Sequence, residues 1–396
     1  MYKRNNILII HKSFIQWGGA ERFCIQEYKN LKKLGFNVKI LIFKIDKSIF
    51  NKYLFEIKQD IYLLNSCFFL NMKKEIIFIK KFNTNYIITG AGIIETFIYS
   101  FLTGTKYIIH MHHPSFMEVD TDVYRFRKNK IFDKLSTLYS SGKEIKERRK
   151  KISFLKLIYF RTRSILSINS YKFAYARIVW SEYHRKEKLD LYGIDSRVIQ
   201  GGFSDKEFRQ VRPKKPRKVK KDFIILSVCR LHKNKRVELA IKSFSLLNSK
   251  DIFFKLIIVG KGPDENKLKN LVKENKLKNI IFKGLIPDSK LKDIYKSANL
   301  FLALDIGDFK LNMHEALLFH MPVLTTEETA ISNELKKTNY VFTSNPEESS
   351  IAKQIKFISK IILNKPNKFD SKKLEIYLEK MTWENYFRIF SKLMDN

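Results

Sequence analysis

The sequence predicts an α/β protein built of two Rossmann-like domains that face each other across a cleft. Three observations predict it. The chain has 396 residues, long for one domain and right for two of about 200 residues each. Short apolar runs alternate with helical segments along most of its length, the pattern of parallel sheets covered by helices on both faces. Near the middle a Pro-containing, strongly basic stretch, "QVRPKKPRKVKKD", interrupts that alternation and reads as an interdomain linker.

The elements follow in order. "NILIIH" reads as a short buried strand, and "GGAERFCIQEYKNLKKLG" as an amphipathic helix opened by Gly18 and Gly19 and closed by Gly35. "NVKILIF", "NYIIT", "KYIIHM" and "ARIVW" supply further strands. Tyr86 to Ile109 is apolar enough to suggest a membrane span, but Glu95, Lys106 and several glycines interrupt it, and a strand–helix–strand unit explains it better. Residues 124–176 are basic and helical. They suit a pair of surface helices with a solvated charged face, a basic-aromatic surface lying on anionic lipid or, least of the three, a nucleic-acid groove. The domains are placed at 1–209 and 222–375, with the linker at 210–221. The second half restarts with "FIILSVCR", "FKLIIVG", "NIIFKG", "NLFLAL" and "PVLTT". In such open sheets, ligands bind at the carboxyl ends of the strands.

Composition narrows the function classes. Cys24, Cys67 and Cys229 are far apart and form no CxxC pair, which argues for a reducing compartment without disulfides or structural zinc. With 76 Lys+Arg against 40 Asp+Glu the formal net charge is +36, a field that attracts polyanions, anionic headgroups or phosphate-bearing substrates. An A/T-rich coding sequence also favours Lys, Asn and Ile, so the sign of the charge is more informative than its size. The apolar run after "MYKRNN" is only "ILII", shorter than the ~7 residues of a secretory core. A cytoplasmic protein is expected, soluble or peripheral on the cytoplasmic membrane face. No GxxxxGK[ST] loop or GxSxG elbow occurs. Nucleic acid is not expected as a partner, because that reading rests on charge alone, without an RNP or zinc-finger pattern. In "HMHHP", His110 and His112 share one face of an extended strand and His113 the other. No Cys or second His pair lies nearby, so no metal is assigned.

The chemistry-bearing positions cluster in the second half. Arg230 ends a strand and Lys235 precedes a helix; a cation pair at a strand-to-helix turn suits a pyrophosphate. In a chain this basic, the same two residues alone could be a solvated loop. "LIIVGKGPDENKLKNL" carries a Gly-Lys-Gly-Pro turn that includes Gly260. In "DFKLNMHEALLFHMPVLTT", Glu315 sits near the start of an apolar helix. A buried carboxylate needs partners, and the vicinal hydroxyls of a ribose would donate to both its oxygens. Pairing with a local Lys, or capping its own helix, is the structural alternative. Backbone N–H groups from Phe309 to Asn312 would face phosphate at the helix start.

These landmarks, in this order, resemble the retaining, nucleotide-sugar-dependent glycosyltransferases of family 4, which have the GT-B architecture. "GGAERFCIQEYKNLKKLGFNVKI", "YIIHMHHPSF", "VWSEYHRKEKLDLYGID", "RVIQGGFSDKEF" and "MTWENYFRIFSKLM" carry the resemblance outside the donor region. The last looks like the family's terminal helix, here 376–396, that crosses back to the first domain. The resemblance implies that Arg230 and Lys235 neutralise the donor pyrophosphate, that Glu315 binds the ribose, and that Leu285 and Ile286 lie against the base. It implies that Gly18 and Gly19 let backbone approach the donor, and that His113 or His112 sits near the transferred sugar. Gly260, Asp308, Phe309, Lys310, Leu311 and Asn312 complete the implied substrate-binding set.

Three positions depart from the family pattern. Gly307 stands where the family has the first Glu of a pair, and Lys310 and His320 stand where it has glycines. Asp308 or Asp305 is expected to stand in for that first Glu after a small loop shift. The implied function is sugar transfer from a nucleotide sugar to a glycan or lipid-linked glycan in cell-surface polysaccharide or glycoconjugate synthesis, without metal or other cofactor. The rival reading, motivated by Gly307, is a homologue that binds a nucleotide sugar or glycan without turnover. The "DTD" at Asp120 to Asp122 matches the metal-nucleotide motif of the other glycosyltransferase fold, but three residues alone carry little against this architecture.

Overall fold

The computed structural model describes residues 5–15, 18–64, 68–90, 93–111, 154–203, 222–247, 252–305, 310–327, 329 and 331–394. The chain divides into two units, Met1–Gly201 with Trp383–Asn396, and Gly202–Thr382. The basic linker, His112, His113, Gly307, Asp308, Phe309, the "DTD" triplet and most of the 124–176 stretch lie outside the described residues.

The first unit is one parallel sheet in the order β3-β2-β1-β4-β5-β6-β7. Its strands are β1 (Asn6–Phe14), β2 (Asn37–Ile45), β3 (Ile61–Leu63), β4 (Tyr86–Thr89), β5 (Lys106–His110), β6 (Ala176–Val179) and β7 (Arg197–Val198). Ile7, Leu8, Ile9 and Ile10 are consecutive and all buried, so this part of β1 has no wet face, as a strand covered by helices on both sides requires. Helices α1 (Gly19–Lys33), α2 (Phe68–Lys81), α3 (Ile93–Thr103), α4 (Phe154–Lys172) and α5 (Glu182–Tyr192) follow the strands. Ser181 caps α5 by accepting the His184 N–H at 3.1 Å, and Gly193 stops it at φ +69°. The segment Tyr86 to Ile109 is a strand, a helix and a strand. No helix among the described residues is long and apolar enough to cross a membrane.

The second unit is a parallel sheet in the order β10-β9-β8-β11-β12-β13. Its strands are β8 (Asp222–Val228), β9 (Phe253–Val259), β10 (Ile280–Gly284), β11 (Leu300–Ala303), β12 (Val323–Thr326) and β13 (Val341–Ser344). Its helices are α6 (Val237–Ser245), α7 (Glu265–Glu274), α8 (Asp288–Ser297), α9 (Leu311–Leu318), α10 (Asn333–Lys336), α11 (Glu348–Asn364) and α12 (Ser371–Lys380). Strands β8, β9, β11 and β12 and the inner faces of the helices form one continuous apolar core.

The last helix, α13 (Trp383–Ser391), belongs to the first unit. The Phe23 ring of α1 packs against Trp383, Tyr386 and Phe387 at centroid distances of 5.2, 6.1 and 6.1 Å. Beneath them, His110 is fully buried. Its Nδ1 lies 3.3 Å from Glu27, and its Nε2 accepts from the Trp180 indole at 3.2 Å and meets the Tyr386 hydroxyl. His110 is therefore a core residue of this unit, tied to α1, to the residue that follows β6 and to α13.

Candidate functional site

In the second unit, strand order reverses between β8 and β11. Chains leaving these two neighbours diverge to opposite sides, opening a crevice at their carboxyl ends where ligands of open α/β sheets bind. Arg230 and Lys235 follow β8, while Asp305, Lys310 and Glu315 follow β11. Gly260 follows β9, and Leu285 and Ile286 follow β10. The described sequence-selected residues of this unit thus follow the carboxyl ends of strands of one sheet.

Arg230 is exposed, and among the described residues its side chain has no hydrogen-bond or ion-pair partner. Lys235 is different. Its Nζ donates to Asp305 Oδ2 at 2.7 Å, so the cation is engaged within the protein. Burial would lower its pKa, but the Asp305 carboxylate outweighs burial and raises it. Asp305, 5% exposed, is flanked on its other oxygen by Lys310, with Oδ1 and Nζ 3.3 Å apart. Burial would push its carboxyl up; Lys310 and Lys235 together hold it well below the usual carboxylate range. Asp305, expected as one stand-in for the missing sugar-binding Glu, faces a lysine with each of its oxygens.

Lys310 is corrected in part. Its backbone lies at the helix start, as the N-cap of α9 at φ −111° and ψ 102°, but its side chain turns into the protein. Nζ lies within hydrogen-bond distance of the carbonyls of Ala303 and Asp305, at 2.7 and 2.6 Å, and of the hydroxyls of Thr325 and Thr329, at 3.0 and 2.9 Å. Burial lowers the ammonium pKa, and Asp305 offsets this only in part.

Glu315 is the fifth residue of the eight-residue helix α9, further from its start than the sequence suggested, because Lys310 is still extended. It is half-buried, and its Oε2 accepts the Tyr295 hydroxyl at 2.9 Å. Tyr295 is fixed in turn by stacking on Phe319, with centroids 5.4 Å apart and planes within 2°. Tyr295 was invisible to sequence reasoning, since nothing local marks a partner twenty positions away.

The remaining positions divide by what already engages them. Asn312 donates its amide to Val228 O at 2.8 Å and accepts the Met313 N–H at 2.9 Å, stapling α9 to the end of β8. Leu311 packs against the apolar core. Leu285 is 74% exposed, an unusual setting for a leucine, while Ile286 packs on the core. At Gly260, φ is +132° and a Cβ would lie 1.9 Å from Cys229 O. Gly262, which the sequence did not single out, meets Leu231 O at 2.2 Å by the same test. Both glycines let the turn after β9 press against the turn after β8, where Leu231 N donates to Lys261 O at 3.0 Å. In the first unit, Gly18 precedes α1 and its N–H donates to Glu21 Oε2 at 3.0 Å, and Gly19 begins the helix. Among the described residues, no group of three or more His, Cys, Asp or Glu side chains could hold a metal ion.

Comparison with known proteins places this geometry. Residues 208–373 match the family described as Glycosyl transferases group 1. A candidate colanic acid biosynthesis glycosyltransferase, WcaL of Salmonella typhimurium, is 27% identical over 143 residues, which cover 34% of this chain and 35% of that relative. The chain thus aligns with about a third of the length of that curated relative. A glycosyltransferase from Rickettsia africae superposes with a TM-score of 0.70 at 18% identity, covering 100% of both chains. HepE of Anabaena, solved in complex with UDP, superposes with a TM-score of 0.72 at 13% identity, covering 98% of this chain and 99% of that one. The fold is that of these GT-B glycosyltransferase structures, two parallel-sheet α/β units, and the matches support a transferase.

Proposed function

We propose that the protein is a nucleotide-sugar-dependent glycosyltransferase of polysaccharide biosynthesis, of family 4 and anomer-retaining. The observation that carries this is the gathering of Arg230, Lys235 and Glu315 at the carboxyl ends of β8 and β11, inside the stretch that matches the group 1 glycosyltransferases.

In this reading the second unit holds the donor. Arg230 and Lys235 neutralise the diphosphate and stabilise the nucleoside diphosphate as it leaves, where cations aimed at developing charge act most strongly. Glu315, its second oxygen braced by Tyr295, grips the ribose hydroxyls, and the exposed Leu285 lies against the base. HepE binds UDP, which makes a uridine donor the first to try. No side chain is assigned as a covalent nucleophile, and no metal is assigned.

The test is nucleoside diphosphate release with a panel of nucleotide sugars. Release with at least one donor is expected, reduced at least about a hundredfold by Glu315→Ala or Arg230→Ala. Donor binding without release in any acceptor mixture would replace the enzyme by the binding-only reading.

The acceptor in this proposal is a glycan or a lipid-linked glycan at the cytoplasmic face of the membrane. Support comes from the first unit, where Phe101 and Leu102 of α3, Leu155, Ile158, Tyr159 and Ile165 of α4 are all exposed on a chain of net charge +36.

A further inference from the structure

The buried ammonium of Lys310 has a function that the donor-site reading leaves unassigned. Five oxygens surround it at 2.6–3.3 Å: the carbonyls of Ala303 and Asp305, the hydroxyls of Thr325 and Thr329, and Asp305 Oδ1. An ammonium has only three protons to give, so this is an oxygen cage of the kind that holds a monovalent cation, with the cation tethered to the chain. Its side chain is 1% exposed. A buried charge is costly to leave unpaired; what it engages here is Asp305, which in turn holds Lys235.

The arithmetic of the three charges is the point. Asp305 paired with Lys235 alone would be a neutral couple, and Lys235 would offer little net field to an incoming anion. With Lys310 on the opposite carboxylate oxygen, the three groups sum to one positive charge. Lys310 is out of reach of solvent and Lys235 is partly open, with 31% of its side chain exposed, so the surplus is expressed at Lys235.

We infer that Lys310 is a positioning residue, an internal counter-cation that neutralises Asp305 and so keeps Lys235 a net positive centre for the diphosphate of a nucleotide ligand. This rests on the donor-site reading and deepens it. Lys310 itself does not touch the ligand.

The test measures UDP binding by calorimetry in the intact protein. Lys310→Met should weaken binding by about tenfold, because Asp305 then cancels Lys235. Adding Asp305→Asn to Lys310→Met should bring binding back to within about threefold of the wild type, since Lys235 is again uncancelled. A purely structural role for the cage predicts the opposite, with the double variant binding no better than the single one, and that result overturns the inference. Should Lys310→Met fail to fold, Lys310→Ala with added ammonium or methylammonium chloride supplies the missing cation, and recovery of UDP binding over a sodium chloride control is the expected result. No recovery in a folded Lys310→Ala protein counts against the inference. If the wild type binds no nucleoside diphosphate, the donor-site reading itself falls. If the wild type binds, Lys235→Met weakens it and Lys310→Met does not, only the present inference falls.

Discussion

Glu75 of α2 is an unusual residue in this protein. It is fully buried, and among the described residues neither carboxylate oxygen has a hydrogen-bond partner. Burial, with the nearby Glu95 as a second cause, pushes its pKa from an ordinary 4.5 up to about 7. The folded state therefore holds a proton that the unfolded chain has already lost. Its contribution to stability is fully present below about 4.5, declines as pH rises, and has become a full penalty above about 7. Glu75→Gln should be more stable than the wild type at pH 8, by roughly 1–3 kcal/mol, with the advantage gone at pH 4. Urea unfolding of the two proteins across that range checks it, and a difference that does not change with pH would contradict it. Residues also show where sequence reading stops. Arg230 and Glu315 could be selected because a strand end and an apolar helix frame them. Lys310 could not be seen as buried, being one of 76 Lys+Arg; its cage comes from residues up to nineteen positions away. The Lys235–Asp305 pair spans seventy positions, and no local signal joins its ends.

At the scale of elements, most of the legible strands carry at least three apolar residues in a row, and β12, "VLTT", was read from its place after an apolar helix and a Pro. β3 and β13 were missed. β3 has three residues, and β13, "VFTS", is as polar as β12 but lies at the sheet edge and has no Pro before it to mark its start. The departure at His320 becomes intelligible in the same way: it ends α9 at φ +52°, the left-handed position where glycine costs least. Here the strain is offset by its ring, which sits 2.5 Å from Glu375 and 3.3 Å from the Tyr340 hydroxyl. Helices α3 and α4 carry the expectation about membranes. Phe101 and Leu155 are 81% and 78% exposed, and each should insert into a lipid surface that the basic chain approaches electrostatically. The protein should sediment with anionic liposomes at low salt, and Phe101→Ser with Leu155→Ser should reduce the bound fraction several-fold. Sedimentation that is absent, or unchanged in the double variant, would remove the peripheral-membrane part of the proposal.

For the whole molecule, the division into units sets what can be removed. Composition put the boundary in the basic linker, whereas the first unit closes at Gly201 and resumes at Trp383. A chain stopped at Thr382 leaves Phe23 without the rings of Trp383, Tyr386 and Phe387, and leaves the buried His110 without Tyr386. Losing aromatic packing on this scale costs several kcal/mol. Limited proteolysis of that truncated chain should degrade the first unit and leave a resistant core within 202–382; equal resistance of both would refute it. The same discontinuity bears on synthesis. The segment 383–394 leaves the ribosome only after the entire second unit has been translated, so the nascent first unit waits with an uncovered aromatic face while its neighbour already folds. Cells making this protein should therefore depend on a holding chaperone through that interval, and slower translation would lengthen the exposure rather than relieve it.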